Sequence, residues 1–179
     1  IYQFILMLLF IAYIRKFTKW WRNQNFFVFS IVTVLLSSFI VLPFGIFSDI
    51  FFPEWFLQVE EITENKISEH PTFLSSFLVL CIIVPILETF LFQHITINLI
   101  ELITKNKYVL VIVSALLFGF SHYFNVVYFI TTTLIGFVYA AAYIIGKRHK
   151  SKTFAFWSVA LAHAIQNLIV ISSELIASK

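Results

Sequence analysis

The chain has 179 residues, 60% of them hydrophobic and 12% charged, with a mean hydropathy of +0.94 and a formal net charge of +3. Soluble domains carry about 25% charged residues, and a domain of this size leaves too much surface in water to hide so much apolar area. A soluble enzyme, a disordered chain and a nucleic-acid-binding module are excluded, and an integral membrane protein is expected.

A crossing of the hydrocarbon core takes about 20 predominantly apolar residues. On that measure six spans are predicted, at about 1–14, 26–47, 72–100, 108–124, 126–146 and 153–176. They define an all-α class, a polytopic transmembrane helical bundle forming one membrane domain over 1–179, with a polar intramembrane cavity. The first span is short and begins without an initiator Met, as a trimmed segment does. Its basic residues follow the apolar stretch instead of preceding it, so it does not read as a cleaved signal peptide. Residues 108–145 are almost continuously apolar, and only His122 to Asn125 mark a turn between spans four and five.

The charges fall in the connections. Arg15, Lys16, Lys19, Arg22, Lys105, Lys107, Lys147, Arg148, Lys150 and Lys152 make ten of the twelve basic residues, and all ten lie on one side of the six-span division. The positive-inside rule assigns that side to the cytoplasm. The opposite loop, 48–71, holds Asp49, Glu54, Glu60, Glu61, Glu64 and Glu69 with only Lys66. Its opening Pro53-Glu54-Trp55-Phe56 predicts an interfacial aromatic anchor followed by a short amphipathic helix. The single cysteine, Cys81, lies in an apolar run and forms no internal disulfide.

Once the loop and span-end charges are set aside, Glu88 is the one acidic residue left in mid-span, three residues after Pro85. An ionisable group there costs at least about 2.5–3.5 kcal/mol on insertion scales, so it needs a polar partner, a water-filled cavity or a proton. Pro85 removes a backbone donor and frees a carbonyl one turn back. Polar partners are available on other spans: His122 after Phe118, and His163 with Asn167 at i, i+4 on one helix face. A carboxylate, two imidazoles and a carboxamide from three helices can surround one water, with Glu as base and the others polarising it or contacting an oxyanion. Each group also has a plainer reading, since a lone intramembrane His often does no more than hydrogen-bond a neighbouring helix. His94 and Asn98, also i, i+4, read as structural or interfacial; His70 and His149 read as solvated; Thr131, Thr132 and Thr133 read as bonded to their own helix backbone.

In order along the chain these residues resemble the CPBP family of intramembrane proteases, the CAAX-protease and bacteriocin-processing (Abi) enzymes that include the eukaryotic prenyl-protein endopeptidase. That family has a Glu-Glu-x-x-x-Arg motif, then Phe-x-x-x-His, then His-x-x-x-Asn or Asp, each on its own helix. Here Glu88 matches the first motif, with Thr89 and Gln93 in place of the second Glu and the Arg. Phe118 to His122 matches the second motif, and His163 to Asn167 the third. The resemblance implies that Glu88 with His122 activates the attacking water, that His163 and Asn167 stabilise the oxyanion, and that Phe118 packs beside the site. Thr89 and Gln93 are themselves i, i+4, a spacing that allows a neutral hydrogen bond in place of the family's charge pair.

The resemblance also implies a membrane-embedded or lipidated peptide as substrate and the bacterial cytoplasmic membrane as location. Zinc is a possible cofactor, with Glu88, His122 and His163 as its ligands; Asn is a poor zinc ligand, and a metal-free glutamate mechanism is preferred. Two other functions compete: a catalytically inactive immunity or scaffold protein that binds a membrane partner, and a proton-coupled transporter using Glu88 and its His partners as a relay. The transporter reading lacks an inverted repeat. One conflict stands within the division itself. Glu88 and His163 lie near mid-span while His122 lies near the outer end of span four, an offset on the order of 10 Å.

Overall fold

A computed structural model of the chain describes residues 2–55, 58, 65 and 72–177. Those residues form an all-α bundle with six long helices. They are α1 (Tyr2–Arg22), α2 (Phe26–Phe51), α3 (Phe73–Ile103), α4 (Lys107–Phe120), α5 (Val126–His149) and α6 (Lys152–Ala177). Helices are the form this composition must take, because hydrocarbon supplies no partner for an unbonded backbone group. α2, α3, α5 and α6 are each long and apolar enough to cross a bilayer.

The sequence breaks these helices with side-chain caps. Asn25, Asn106 and Asn125 accept from the backbone N–H of Val28, Tyr108 and Tyr128, at 3.0, 3.0 and 2.8 Å. Thr72 and Ser75 form a reciprocal capping box at the start of α3, and Ser151 Oγ accepts from Phe154 N at 3.0 Å at the start of α6.

Several expected boundaries move. α1 continues past residue 14 through the basic cluster to Arg22, because Lys and Arg are good helix formers and nothing before Asn23 caps or breaks the turn. α2 runs to Phe51 in place of 47, with Pro43 inside it. Span four is shorter than drawn: α4 ends at Phe120, and residues 121–125 form the turn that His122 to Asn125 foretold. The amphipathic helix expected after Phe56 falls, apart from positions 58 and 65, outside the described residues.

α5 is the central helix. Of its apolar window 56% is buried, against 28%, 22% and 39% in α2, α3 and α6. Tyr139 and Tyr143 on α5 are fully buried and join Phe29 of α2, Ile97 of α3, Leu110 of α4 and Val159 of α6 in one core. α1 joins that core through Trp21, whose ring stacks on Phe29 at 5.0 Å. α4 and α5 cross closely at glycine. A Cβ on Gly136 would lie 3.0 Å from Ala115 Cα and 3.1 Å from its carbonyl oxygen, backbone that no rotamer change can clear. Gly136→Ala is therefore expected to cost about 1–3 kcal/mol, read as a lower melting temperature of the detergent-purified protein. An unchanged melting curve contradicts the close crossing.

The basic ends gather as the charge pattern requires. Lys147 pairs with Glu101 and donates to Asn98 Oδ1 at 2.7 Å, Arg148 approaches Glu101 at 3.8 Å, and Arg22 of α1 meets His149 of α5 at 3.5 Å. His94 and Asn98 belong to this end: Tyr143 Oη bonds to His94 Nδ1 at 2.7 Å, and Asn98 Nδ2 donates to the His94 carbonyl at 2.5 Å.

Candidate active site

Glu88 occupies a helix wound in two ways. α3 contains two π-helical stretches, Phe77–Ile83 and Thr89–Ile95, separated by five α-helical residues, Val84–Glu88. Wide turns of this kind concentrate at functional sites. Pro85 lies in the short α-helical segment between them.

Two imidazoles meet the carboxylate. His122 Nε2 lies 3.3 Å from Glu88 Oε1, and His163 Nε2 lies 3.4 Å from Glu88 Oε2. The three side chains are largely withdrawn from the surface, at 20% exposure for Glu88, 12% for His122 and 6% for His163. The apparent conflict of depth disappears when position is counted from the hairpin that joins α3 to α4. Glu88 lies 15 residues before Ile103, the end of α3, and His122 lies 15 residues after Lys107, the start of α4. In an antiparallel pair those positions are level. α4 itself is about 21 Å long, so the turn that follows it, with His122, reaches Glu88 inside the bundle and not at its outer face.

Hydrogen bonding fixes the His122 ring. Its Nδ1 lies 2.8 Å from the Phe118 carbonyl, which can only accept, so Nδ1 carries a hydrogen; Ser121 Oγ is also 3.0 Å from Nδ1. In the neutral ring Nε2 is then bare, and it faces a carboxyl oxygen. A carboxyl oxygen 3.3 Å from an imidazole Nε2 places two proton-holding groups side by side. That is the equipment for taking a proton from water and passing it on. Phe118 lies between the imidazoles, its ring centroid 4.7 Å from that of His122 and 5.7 Å from that of His163. Its carbonyl orients His122 and its ring walls the site.

The third motif divides its labour. His163 reaches Glu88, but Asn167, four residues on, directs its amide Nδ2 to the Leu80 carbonyl at 2.7 Å. One of the two Nδ2 hydrogens of Asn167 is thus engaged with the α3 backbone. The Thr89–Gln93 hydrogen bond is not formed. Both side chains are fully buried, and Thr89 Oγ1, Gln93 Nε2 and Gln93 Oε1 have no hydrogen-bond partner among the described residues. Both residues lie in the second π-helical stretch, Thr89–Ile95. Thr132 bonds to the Tyr128 carbonyl at 2.8 Å as expected, whereas Thr133 Oγ1 lies against Gly119 with no partner among the described residues.

A possible metal set of Glu88, His122 and His163 needs three donor atoms aimed at one point. Here the two Nε2 atoms aim at different oxygens of one carboxylate. Among the described residues no group of three or more His, Cys, Asp and Glu side chains is disposed to hold a metal ion.

Sequence reasoning missed Tyr139. Its fully buried ring lies 5.2 Å from His163 and 6.1 Å from Phe118, and its hydroxyl has no partner among the described residues. The available signal was a Tyr within the apolar run of α5, three residues after Gly136, on the face that meets α4.

The model of the type II CAAX prenyl endopeptidase family (Rce1-like) matches residues 70–169, more than half of the chain. The chain belongs to that family. The matched stretch contains all three motifs, with Glu88, Phe118, His122, His163 and Asn167, and excludes α1 and α2. No curated protein and no solved structure matches the chain. The family is one of proteases, and the four long apolar helices agree with an integral membrane protein.

Proposed function

We propose that the protein is an intramembrane endopeptidase that hydrolyses a peptide bond of a membrane-embedded or lipidated peptide, with Glu88 as the base that activates water. The supporting observation is the carboxylate flanked by two imidazoles, 3.3 and 3.4 Å away, drawn from α3, the turn after α4, and α6. In this reading the shared Glu88–His122 site removes a proton from water as its oxygen adds to the scissile carbonyl. The same proton then goes to the leaving amine. His163 Nε2–H, on the far side of the carboxylate, turns to the developing oxyanion, and the mechanism uses no metal. The test is the purified protein in lipid vesicles with a farnesylated peptide and a panel of unmodified transmembrane peptides, products being read by mass spectrometry. Cleavage at one internal peptide bond is expected. Intact peptides throughout, from protein shown to be folded, contradict the proposal.

A second reading, a non-cleaving relative that binds a membrane partner, is favoured by one observation. Thr89 and Gln93 stand where the family has Glu and Arg, and they do not restore the lost pairing. On that reading partner binding survives Glu88→Ala unchanged.

The location that goes with the proposal is the bacterial cytoplasmic membrane, with the Arg22, Lys105, Lys147 and Lys150 ends facing the cytoplasm. Lys150→Cys is expected to react with an impermeant maleimide in inverted vesicles and not in intact cells, the native Cys81 being buried. Labelling in intact cells reverses the orientation.

A further inference from the structure

α3 loses two backbone donors at one carbonyl. The Val84 N–H, which in an α-helix reaches back four residues to Leu80, is drawn by the π-helical winding to Val79. The next N–H in that register, five residues after Leu80, belongs to Pro85, which has none. The Leu80 carbonyl is thus deprived by both the winding and the proline, at a depth where hydrocarbon supplies no substitute. Asn167 Nδ2 donates to it at 2.7 Å. One turn earlier on the same face of α6, His163 Nε2 faces Glu88 Oε2. Glu88 ends the five-residue segment Val84–Glu88 between the two π-helical stretches, and Leu80 lies in the stretch before it.

We propose that Asn167 is a positioning residue that clamps α3 at the carbonyl freed by Pro85, and that this bond sets the rotation of α3 which presents Glu88 to both imidazoles. α6 then holds α3 at two points one turn apart, a backbone clamp at Asn167 and the reacting carboxylate at His163. Asn167 acts on α3 through one of its two amide hydrogens. The role in catalysis rests on the endopeptidase reading given above, whereas the clamp is a property of the folded protein and is measured without substrate.

Pro85 supplies the discriminating variant. Pro85→Ala restores an N–H in the register of Leu80, so it is expected to compensate for loss of the Asn167 donor. Asn167→Ala alone is expected to lower the melting temperature in detergent by roughly 5 °C, and the Pro85→Ala, Asn167→Ala double variant to recover most of that shift. Where cleavage is measurable, the double variant also recovers most of the rate lost in Asn167→Ala. Additive losses in melting temperature overturn the clamp. A double variant that regains stability but stays as inactive as Asn167→Ala overturns the positioning role and returns Asn167 to the oxyanion.

A direct reading of the carbonyl does not depend on the Ala variant folding well. Cys81 is the sole cysteine, so ¹³C-carbonyl leucine with ¹⁵N-cysteine labels one peptide bond, Leu80–Cys81. The ¹³C shift of that carbonyl is expected to move upfield in Asn167→Leu, which keeps the approximate shape and has no donor, and to return in Pro85→Ala, Asn167→Leu. A shift that is the same in wild type and Asn167→Leu overturns the proposal.

Discussion

Glu88→Gln is expected to fold, to keep its place in the membrane, and to hydrolyse peptide about a thousandfold more slowly than the wild type, a loss within the range for removing a general base. The substitution keeps the shape of the side chain and its two points of contact with His122 and His163. It removes only the capacity to take up a proton. Stability should move the other way. An ionisable group in mid-span is costly, by about 2.5–3.5 kcal/mol on insertion scales, and the neutral amide escapes most of that cost. The variant is thus expected to melt no lower than the wild type while losing activity. Steady-state cleavage in vesicles and thermal melting of the same preparation check the two halves. A variant that loses both together points to a structural Glu88, and one that keeps its activity removes the base.

The second large effect concerns the two imidazoles. His122→Ala and His163→Ala are each expected to reduce the rate by about 10²–10⁴-fold. The double variant should fall no more than about tenfold below the worse single variant, because groups that act as one unit do not add. The geometry makes the unit explicit. His122 is held from behind by the Phe118 carbonyl at 2.8 Å and faces one oxygen of Glu88, while His163 faces the other. Removing either takes one of the two imidazoles from the carboxylate, and the second removal finds the site already disabled. Rate losses that multiply in full are inconsistent with a shared carboxylate. A KM that rises while kcat stays unchanged assigns the lost imidazole to binding.

Much of this arrangement is legible in the sequence for a physical reason. In hydrocarbon a carboxyl group, an imidazole or a run of basic residues is expensive, so each such residue marks either a helix end or a place where something polar meets it. Glu88, His122 and His163 stand out on that ground, and the structure brings them together. The bundle, the basic face and the turn at His122 to Asn125 follow from the same reasoning. What escaped was whatever depends on winding and on level. Two π-helical stretches in α3 have no signature in the apolar pattern, and the Thr89–Gln93 hydrogen bond that i, i+4 spacing allows is not formed. Pro85 announced a freed carbonyl, but not that Asn167 would satisfy it from α6. His122 looked too shallow because span four was measured from its outer end. Counted from the α3–α4 turn, it is level with Glu88. Tyr139 passed unnoticed because a tyrosine in an apolar run carries no charge to betray it.

The central claim is that Glu88 activates water instead of attacking the peptide carbonyl itself, and hydrolysis in H₂¹⁸O under single-turnover conditions tests it most directly. With enzyme in excess over a cleaved peptide, the new C-terminal carboxylate is expected to carry one ¹⁸O from the first turnover, while the proteolytic fragment containing Glu88 stays unlabelled; Glu88→Gln should yield no labelled product on that time scale. An unlabelled first product with ¹⁸O on Glu88, or a labelled product formed equally fast by Glu88→Gln, contradicts the account.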